Sequence, residues 1–385
     1  MFKRFFPGML FWFLTAGMLY AAVIGENAPE PELGPVLAGQ KFRLADMRGK
    51  QITVLHFWKN GCPPCAQAVP MINELVKRYR GKAAFLAVGD GLPSELRKEN
   101  HWKKLTCPVA ADNFQNTARL YMPPRDRSYP SDAVIGKDGK LLWFGPTAML
   151  AGVLAEIVEG KYDLAAAVAL DRFNRAMQSA MAKKDYPAAL KILRERRKVL
   201  PDDPELAIGE ANILAGNCKK TEEALQVLDR EIARMPQLFM LYQAKMQILH
   251  FATPPADKRR IRHYQAIAEA FRTRPQLLIQ LAGGMMKRKV GSFEILGVYH
   301  LARAAYHSPA LRDKIDRGKA AATLARSYYY MGMPERAVIY QAEAVDLLKK
   351  TQEYRRSVAD LDFYRGALTA AAEVKKLEAN RKNKE

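Results

Sequence analysis

The sequence predicts two folded parts of different class: an α/β domain with a mixed central sheet covered by helices, then an all-α region of helical hairpins. Three observations predict this. From about Val36 to Gly160, short apolar runs rich in β-branched residues alternate with amphipathic stretches, the pattern of strands packed beneath helices. Past Gly160 strand signals vanish, and helical periodicity continues to about Leu377. Within that second part, small and aromatic residues recur at spacings that suit a helical repeat. The 385 residues allow two or three domains. With 49% apolar and 26% charged residues the chain can fold around cores, which excludes a fibrous or disordered protein.

The chain opens with Lys3 and Arg4, followed by an uncharged apolar run from Phe5 to Gly25. Basic-then-apolar order is that of an export signal, and the run also has the roughly 20 residues needed to cross a bilayer. Glu26, Glu30 and Glu32 follow it, a charge asymmetry that leaves the N-terminus inside and the body outside. Residues 1–25 are therefore expected to be a signal peptide or membrane anchor, which makes the membrane a partner through this segment. Residues 26–35, "ENAPEPELGP", read as an extended Pro-rich tether.

The expected domain at 36–160 follows. "ITVLHFW" (52–58) reads as a buried strand, and "PPCAQAVPMINELVKRYR" as a helix with prolines at its first positions and a kink at Pro70. "AAFLAVGD" (83–90) is a second buried strand, "SELRKENHWKKL" a helix, "CPVAAD" a short strand and "NFQNTARLY" a helix. "DAVIGKDGKLLWFG" reads as two strands joined around Asp138-Gly139, a hairpin signal. "MLAGVLAEIVEG" closes the domain as a helix ended by Gly160.

Residues 165–377 hold the repeat signal. Tyr186 and Ala189 precede Pro201, Ala224 precedes Pro236, and Leu324, Ala325, Tyr328, Gly332, Ala337 and Ala344 fall at the small and aromatic positions of a helix–turn–helix pair. These positions resemble tetratricopeptide (TPR) repeats. The resemblance implies an α-solenoid that binds protein ligands, with irregular units between Gln237 and Lys319. Residues 378–385 form a charged tail.

The chemistry-bearing feature is "HFWKNGCPPCAQAVP" (56–70). A Cys-x-x-Cys pair can bind zinc, carry haem or exchange electrons with thiols. Zinc needs further Cys or His ligands at suitable spacing, and none stands in the sequence. Haem attachment needs histidine after the second cysteine, where Ala66 stands. Thiol–disulfide exchange remains, with neither metal nor cofactor expected. A cysteine at a helix N-terminus is stabilised as thiolate by free N–H groups and the helix dipole. Cys62 is thus the expected nucleophile and Cys65 the resolving thiol, the two forming a redox-active disulfide. Cys107 and Cys218 read as structural.

Residues Phe42 to about Gly160 resemble a thioredoxin-fold domain of the TlpA/ResA type. "FRLADMRGKQITVLHFWKNGCPPC", "CPVAADNFQNTARLY" and "YPSDAVIGKDGKLLWFG" carry the resemblance. It implies a cis peptide bond at Pro130, and a substrate-binding surface made by Tyr129, Pro130, Trp58 and Gly61. Three departures stand out: Gly61 replaces the usual Trp and should leave Cys62 more exposed, Ala68 replaces a common acidic residue, and His56 stands where thioredoxins bury an aspartate. His56 is a possible proton-transfer group in its place.

The reading is an extracytoplasmic thiol–disulfide oxidoreductase on the periplasmic side of a bacterial inner membrane, anchored or secreted. The resemblance implies reduction of disulfides in exported cysteine-containing proteins, as in cytochrome c maturation, with a membrane thiol transporter as electron donor. The alternative is an envelope scaffold acting through the TPR-like region, with a structural Cys pair. The net charge of +21 reads as solvated helix faces, and no nucleic-acid partner is expected.

Overall fold

The computed structural model describes residues 22–98, 100–112, 114–122, 128–254, 257–286 and 292–382. They form two compact units divided after Ile192. The expected signal or anchor lies outside the described residues except for its last four. No described helix is long and apolar enough to cross a membrane.

The first unit is built on six strands: β1 (Leu33–Ala38), β2 (Ile52–Lys59), β3 (Ala83–Asp90), β4 (Val109–Asp112), β5 (Ser131–Ile135) and β6 (Leu141–Pro146). Their order is β1-β4-β3-β2-β5-β6. The β2–β3 and β3–β4 pairs are parallel; the β1–β4, β2–β5 and β5–β6 pairs are antiparallel. All residues of β2 except Lys59 are buried, which explains why "ITVLHFW" lacks polar alternation: a central strand is covered on both faces. The two-residue period still sorts its side chains. Val54, Trp58, Phe85, Ala87, Val109 and Val134 share one core with α1 (Pro63–Arg78) and α4 (Thr147–Val158). Leu55, Phe57, Leu86, Val88 and Ala133 point to the opposite core, closed by Leu44, Tyr121 and α3 (Asn116–Tyr121). The β5–β6 hairpin turns through Gly139 at φ +80, a left-handed conformation that glycine adopts without Cβ strain.

Two expectations need correction. Residues 26–35 are not a free tether. Ala28 is buried, Asn27 bridges Lys140, and Leu33 begins β1. The Glu30 carboxylate accepts the backbone N–H groups of Leu44 and Ala45 at 2.6 and 3.1 Å. Packing and paired backbone thus outweigh the extended bias of the prolines. The stretch "SELRKENHWKKL" is not one helix either. It gives a short α2 (Pro93–Leu96) and a 3₁₀ turn at Trp102–Lys104. The Trp102 indole N–H donates to the Leu96 carbonyl at 2.6 Å. Burying the large ring in the core wins over helix propensity.

Helix α1 runs through Pro70 to Arg78 with Pro63 and Pro64 in its first turn, where a missing N–H costs nothing. Helices α5 (Leu164–Ala182) and the start of α6 (Tyr186–Val199) complete this unit.

From Leu193 on, the described residues are helical: α7 (Pro204–Asn212), a π-helical turn at Ile213–Asn217, then α8 (Thr221–Arg234), α9 (Phe239–Ala252), α10 (Lys258–Ala270), α11 (Pro275–Met285), α12 (Ser292–Tyr306), α13 (Lys314–Tyr330), α14 (Pro334–Leu347) and α15 (Tyr354–Lys382). Prolines open α7, α11 and α14, and aspartates 203, 257 and 313 cap α7, α10 and α13. Small residues lie where helices meet. Ala325, Ala337 and Ala344 are buried, and a Cβ on Gly297 would overlap the Tyr264 ring. Gly332 makes the α13–α14 turn at φ +77.

Inside this unit, His263 bonds the Tyr242 carbonyl at 2.8 Å and stacks on the Tyr242 ring. Burial pulls its pKa down from 6.5 to about 4. A histidine kept neutral by folding contributes stability that is present above pH 6.5 and lost as pH falls toward 4. The His263→Gln protein is therefore expected to lose less thermal stability than the parent between pH 7 and 4, as differential scanning calorimetry of the full chain would read.

Candidate active site

The strand-to-helix step from β2 into α1 builds the site. Lys59 ends β2, and the chain turns through Gly61 at φ +60. Cys62 then caps α1: the backbone N–H of Cys65 points at the Cys62 sulfur at 3.2 Å. Pro63 and Pro64 have no N–H to offer, so this is the first amide of the helix that can face the sulfur. Cys62 and Cys65 are joined in a disulfide with their Cα atoms 5.3 Å apart. A helix N-terminus beneath the sulfur favours its thiolate once the bond is reduced.

The Cys62 sulfur lies 3.8 Å from the carbonyl oxygen of Tyr129, and the Tyr129–Pro130 peptide bond is cis. The Pro130 carbonyl accepts the N–H of Thr147 at 3.2 Å, which ties this loop to the start of α4. Tyr129 is held on its other side. Its hydroxyl donates to Asp90 Oδ2 at 2.7 Å, Gln115 donates to Asp90 Oδ1 at 2.7 Å, and the Lys59 ammonium sits 5.5 Å from the ring centroid. Asp90 and Lys59 were not read from the sequence as site residues. Their signal was positional, since each ends a buried strand beside the Cys pair.

Gly61 is exposed, but Cys62 is only 8% exposed. The cysteine is nearly covered despite Gly61, because the Tyr129 carbonyl lies against its sulfur from the loop before β5. Nothing lies within 4 Å of a Cβ built on Gly61, so space does not exclude a side chain there; the left-handed backbone opposes one. Gly61→Ala is expected to lose about 1 kcal/mol of stability without blocking the disulfide, as urea unfolding and thiol titration would show.

Trp58, expected on the substrate surface, is interior at 1% exposed. Strand parity turns it under α1, where a Cβ on Gly89 would collide with its ring. There it stacks on Trp102 with centroids 6.5 Å apart and meets His101 edge-on. It supports the site from below and is not placed to touch a client.

His56 is also buried, as expected of the strand, but it is not a lone core histidine. Its Nδ1 lies 2.8 Å from Asp132 Oδ1, at 1% and 0% side-chain exposure. The two residues sit directly opposite each other in the β2–β5 ladder. Sequence reading missed Asp132. The available signal was an acid two residues after Pro130, at the same strand parity as the core residue Val134. Cys107 is a free thiol in the core that holds Cys62 and Cys65, and burial pushes its pKa up to about 11. Cys218 is also free. Among the described residues no cluster of His, Cys, Asp and Glu could hold a metal ion.

Comparisons with known proteins match this domain. The profile of the AhpC/TSA family matches residues 24–144. The thiol-disulfide oxidoreductase ResA of Bacillus cereus is 32% identical over 121 residues, 31% of this chain and 67% of the relative. ResA of Geobacillus thermodenitrificans is 34% identical over 125 residues, 31% of this chain and 68% of the relative. Among solved structures, the exposed lipoprotein thioredoxin Etrx1 of Streptococcus pneumoniae is 27% identical. That match covers 34% of this chain and 99% of Etrx1, with a TM-score of 0.30. With its cysteine pair at the head of α1 and this likeness along the surrounding domain, the chain belongs to the ResA family of thiol–disulfide oxidoreductases.

Proposed function

We propose that the protein reduces disulfides in exported proteins on the extracytoplasmic side of a bacterial membrane, cytochrome c maturation being the family setting. The observation that carries the reading is the covered sulfur. Cys62 faces the Tyr129–Pro130 backbone at 3.8 Å, so a client strand laid along that loop brings its own disulfide to the nucleophile. The Cys62 thiolate attacks one client sulfur, forming a mixed disulfide and releasing the other client sulfur as thiolate. Cys65 gives up its proton, attacks the Cys62 sulfur and closes the ring disulfide, and the second client thiolate leaves. Two electrons pass from the Cys pair to the client; of the two protons that end on the client thiols, one comes from Cys65 and the other from water, which took it when Cys62 ionised. A membrane dithiol donor restores the pair. The apolar run before residue 25 supports the location.

The helical region recruits the client in this reading, as a TPR-like surface does. Two of its features support that role. Tyr330 and Phe363 are exposed large aromatics, both packed against Tyr329, and exposed aromatic groups favour partner binding. A cleft of about 450 Å³ is lined by Arg194, Arg197, Arg230, Glu210, Glu223 and Gln226, polar groups that suit a peptide.

The test is trapping in cells. Cys65→Ala should hold clients on Cys62 as mixed disulfides that mass spectrometry identifies, and deletion of residues 193–385 should reduce their range. No thiol-sensitive adducts above a Cys62→Ser, Cys65→Ala control would overturn the proposal.

A further inference from the structure

We propose that Arg303 and Arg336 form a docking site for the acidic side chains of an extended client segment, with the Tyr299 and Tyr328 hydroxyls as further donors beside them. The site gives a chemical preference to the client recruitment assigned above to the helical unit, and it rests on that assignment.

Three consecutive helices build it. Tyr299 and Arg303 stand one turn apart on α12, Tyr328 lies on α13, and Arg336 and Tyr340 stand one turn apart on α14. Tyr328 is buried, Tyr299 and Tyr340 are half-buried, and both arginines are exposed. Tyr299 meets the Tyr328 ring edge-on and Tyr340 stacks on it at 15°, each with centroids 5.4 Å apart. Against this aromatic floor the Arg336 guanidinium sits 5.4 Å from the Tyr328 centroid, with Nη1 3.4 Å from the Tyr328 hydroxyl. A guanidinium held over an aromatic ring is preorganised, so it loses less freedom when it binds.

The charge of this face is unbalanced. Among the described residues neither Arg303 nor Arg336 pairs with a carboxylate; Arg336 interacts with Tyr328, Tyr299 and Tyr340. Glu343, whose charge reaches Tyr340, is already taken by Arg317 and the Tyr306 hydroxyl. The Tyr328 phenol registers the excess. Burial raises its pKa, but the bonds from Tyr299 and Arg336 and the charges of Arg336 and Arg303 outweigh burial and hold it below the usual tyrosine value. A carboxylate answers such a spot, because it accepts the two parallel N–H groups of a guanidinium fork and neutralises its charge. Ile339 is 66% exposed and lies one turn from Arg336 on α14. An apolar residue of the segment therefore finds a partner beside its acid, which favours a peptide over a bare anion.

The test is fluorescence anisotropy on the full chain with a fluorescein-labelled, C-terminally amidated peptide that alternates glutamate with leucine. The same peptide with glutamine in place of glutamate is the neutral probe, and it should bind every form weakly. The double variant Arg303→Gln, Arg336→Gln should weaken the acidic peptide by about tenfold or more, whereas Arg355→Gln, Arg356→Gln should change it by less than about twofold. The second pair makes the same change of net charge on exposed residues of α15. Arg303→Lys, Arg336→Lys keeps the charge but loses both forks, and should also weaken the peptide. Equal weakening by the two glutamine variants would overturn the inference, since bulk charge would then explain the binding. So would an acidic peptide that binds the parent no better than the neutral one, or phosphatidylglycerol vesicles that need these arginines where the peptide does not. In cells, Cys65→Ala protein carrying Arg303→Gln, Arg336→Gln should trap fewer clients with acidic segments. If deletion of residues 193–385 leaves the trapped range unchanged, the recruitment reading itself fails. If the deletion narrows the range and the double variant does not, the site alone fails.

Discussion

Replacing Cys62 by serine should bring insulin reduction down to the uncatalysed thiol background, whereas Cys65→Ala should keep the first attack and lose turnover. The asymmetry follows from geometry. The Cys62 sulfur sits at the start of α1 with the Cys65 amide 3.2 Å away, the position at which amide dipoles stabilise a thiolate. Serine keeps the shape, but its hydroxyl is a far weaker acid and does not form a disulfide. Cys65 is fully interior, at 1% exposed, so the sulfur it attacks is that of Cys62, once a client is bonded to it. Turnover measured by insulin precipitation, with adducts followed by mass, distinguishes the two variants. Equal loss of both attack and adduct in Cys65→Ala would contradict the assigned order.

The second large effect concerns stability. Asp132→Leu alone should destabilise the first unit by about 3 kcal/mol, because it leaves His56 buried without its partner. Adding His56→Leu should recover that loss and leave the protein at or above parental stability, by up to about 4 kcal/mol. Taking two polar groups out of water weakens the benefit of pairing them, and Asp132 Oδ2 finds no partner among the described residues. Leucines at both places would extend a face already made of Val54 and Val134. Urea unfolding of the single and double variants closes the cycle. A double variant as unstable as the single one would mean that the pair contributes to folding. A recovered double variant would mean that the buried pair costs the fold stability.

Much of this protein was legible in its sequence. Periodicity located β2, β3, β5 and β6, because a buried strand and a hairpin around Asp138-Gly139 are written in consecutive residues. The lack of further ligands at zinc spacing, Ala66 after Cys65 and the strand-to-helix setting of the Cys-x-x-Cys pair selected thiol exchange over metal or haem, because each is read directly from residue order. The helical region was legible as helices for the same reason. "SELRKENHWKKL" was misread because Trp102 is buried by partners such as Trp58, outside the window that sets local propensity. Residues 26–35 were misread because composition reports the stiffness of a segment and says nothing of the surface waiting for it.

What the sequence alone determined is the chemistry: two sulfurs at the head of a helix that follows a buried strand. Only the tertiary structure decided the environment of those sulfurs. The Tyr129 carbonyl that covers Cys62 is 67 residues away along the chain, and the carboxylate that meets His56 is 76 residues away. Nothing in a local window links such positions. Sheet order and ladder register link them: once β5 lies antiparallel to β2, Asp132 falls opposite His56, and the turn before β5 falls across Cys62.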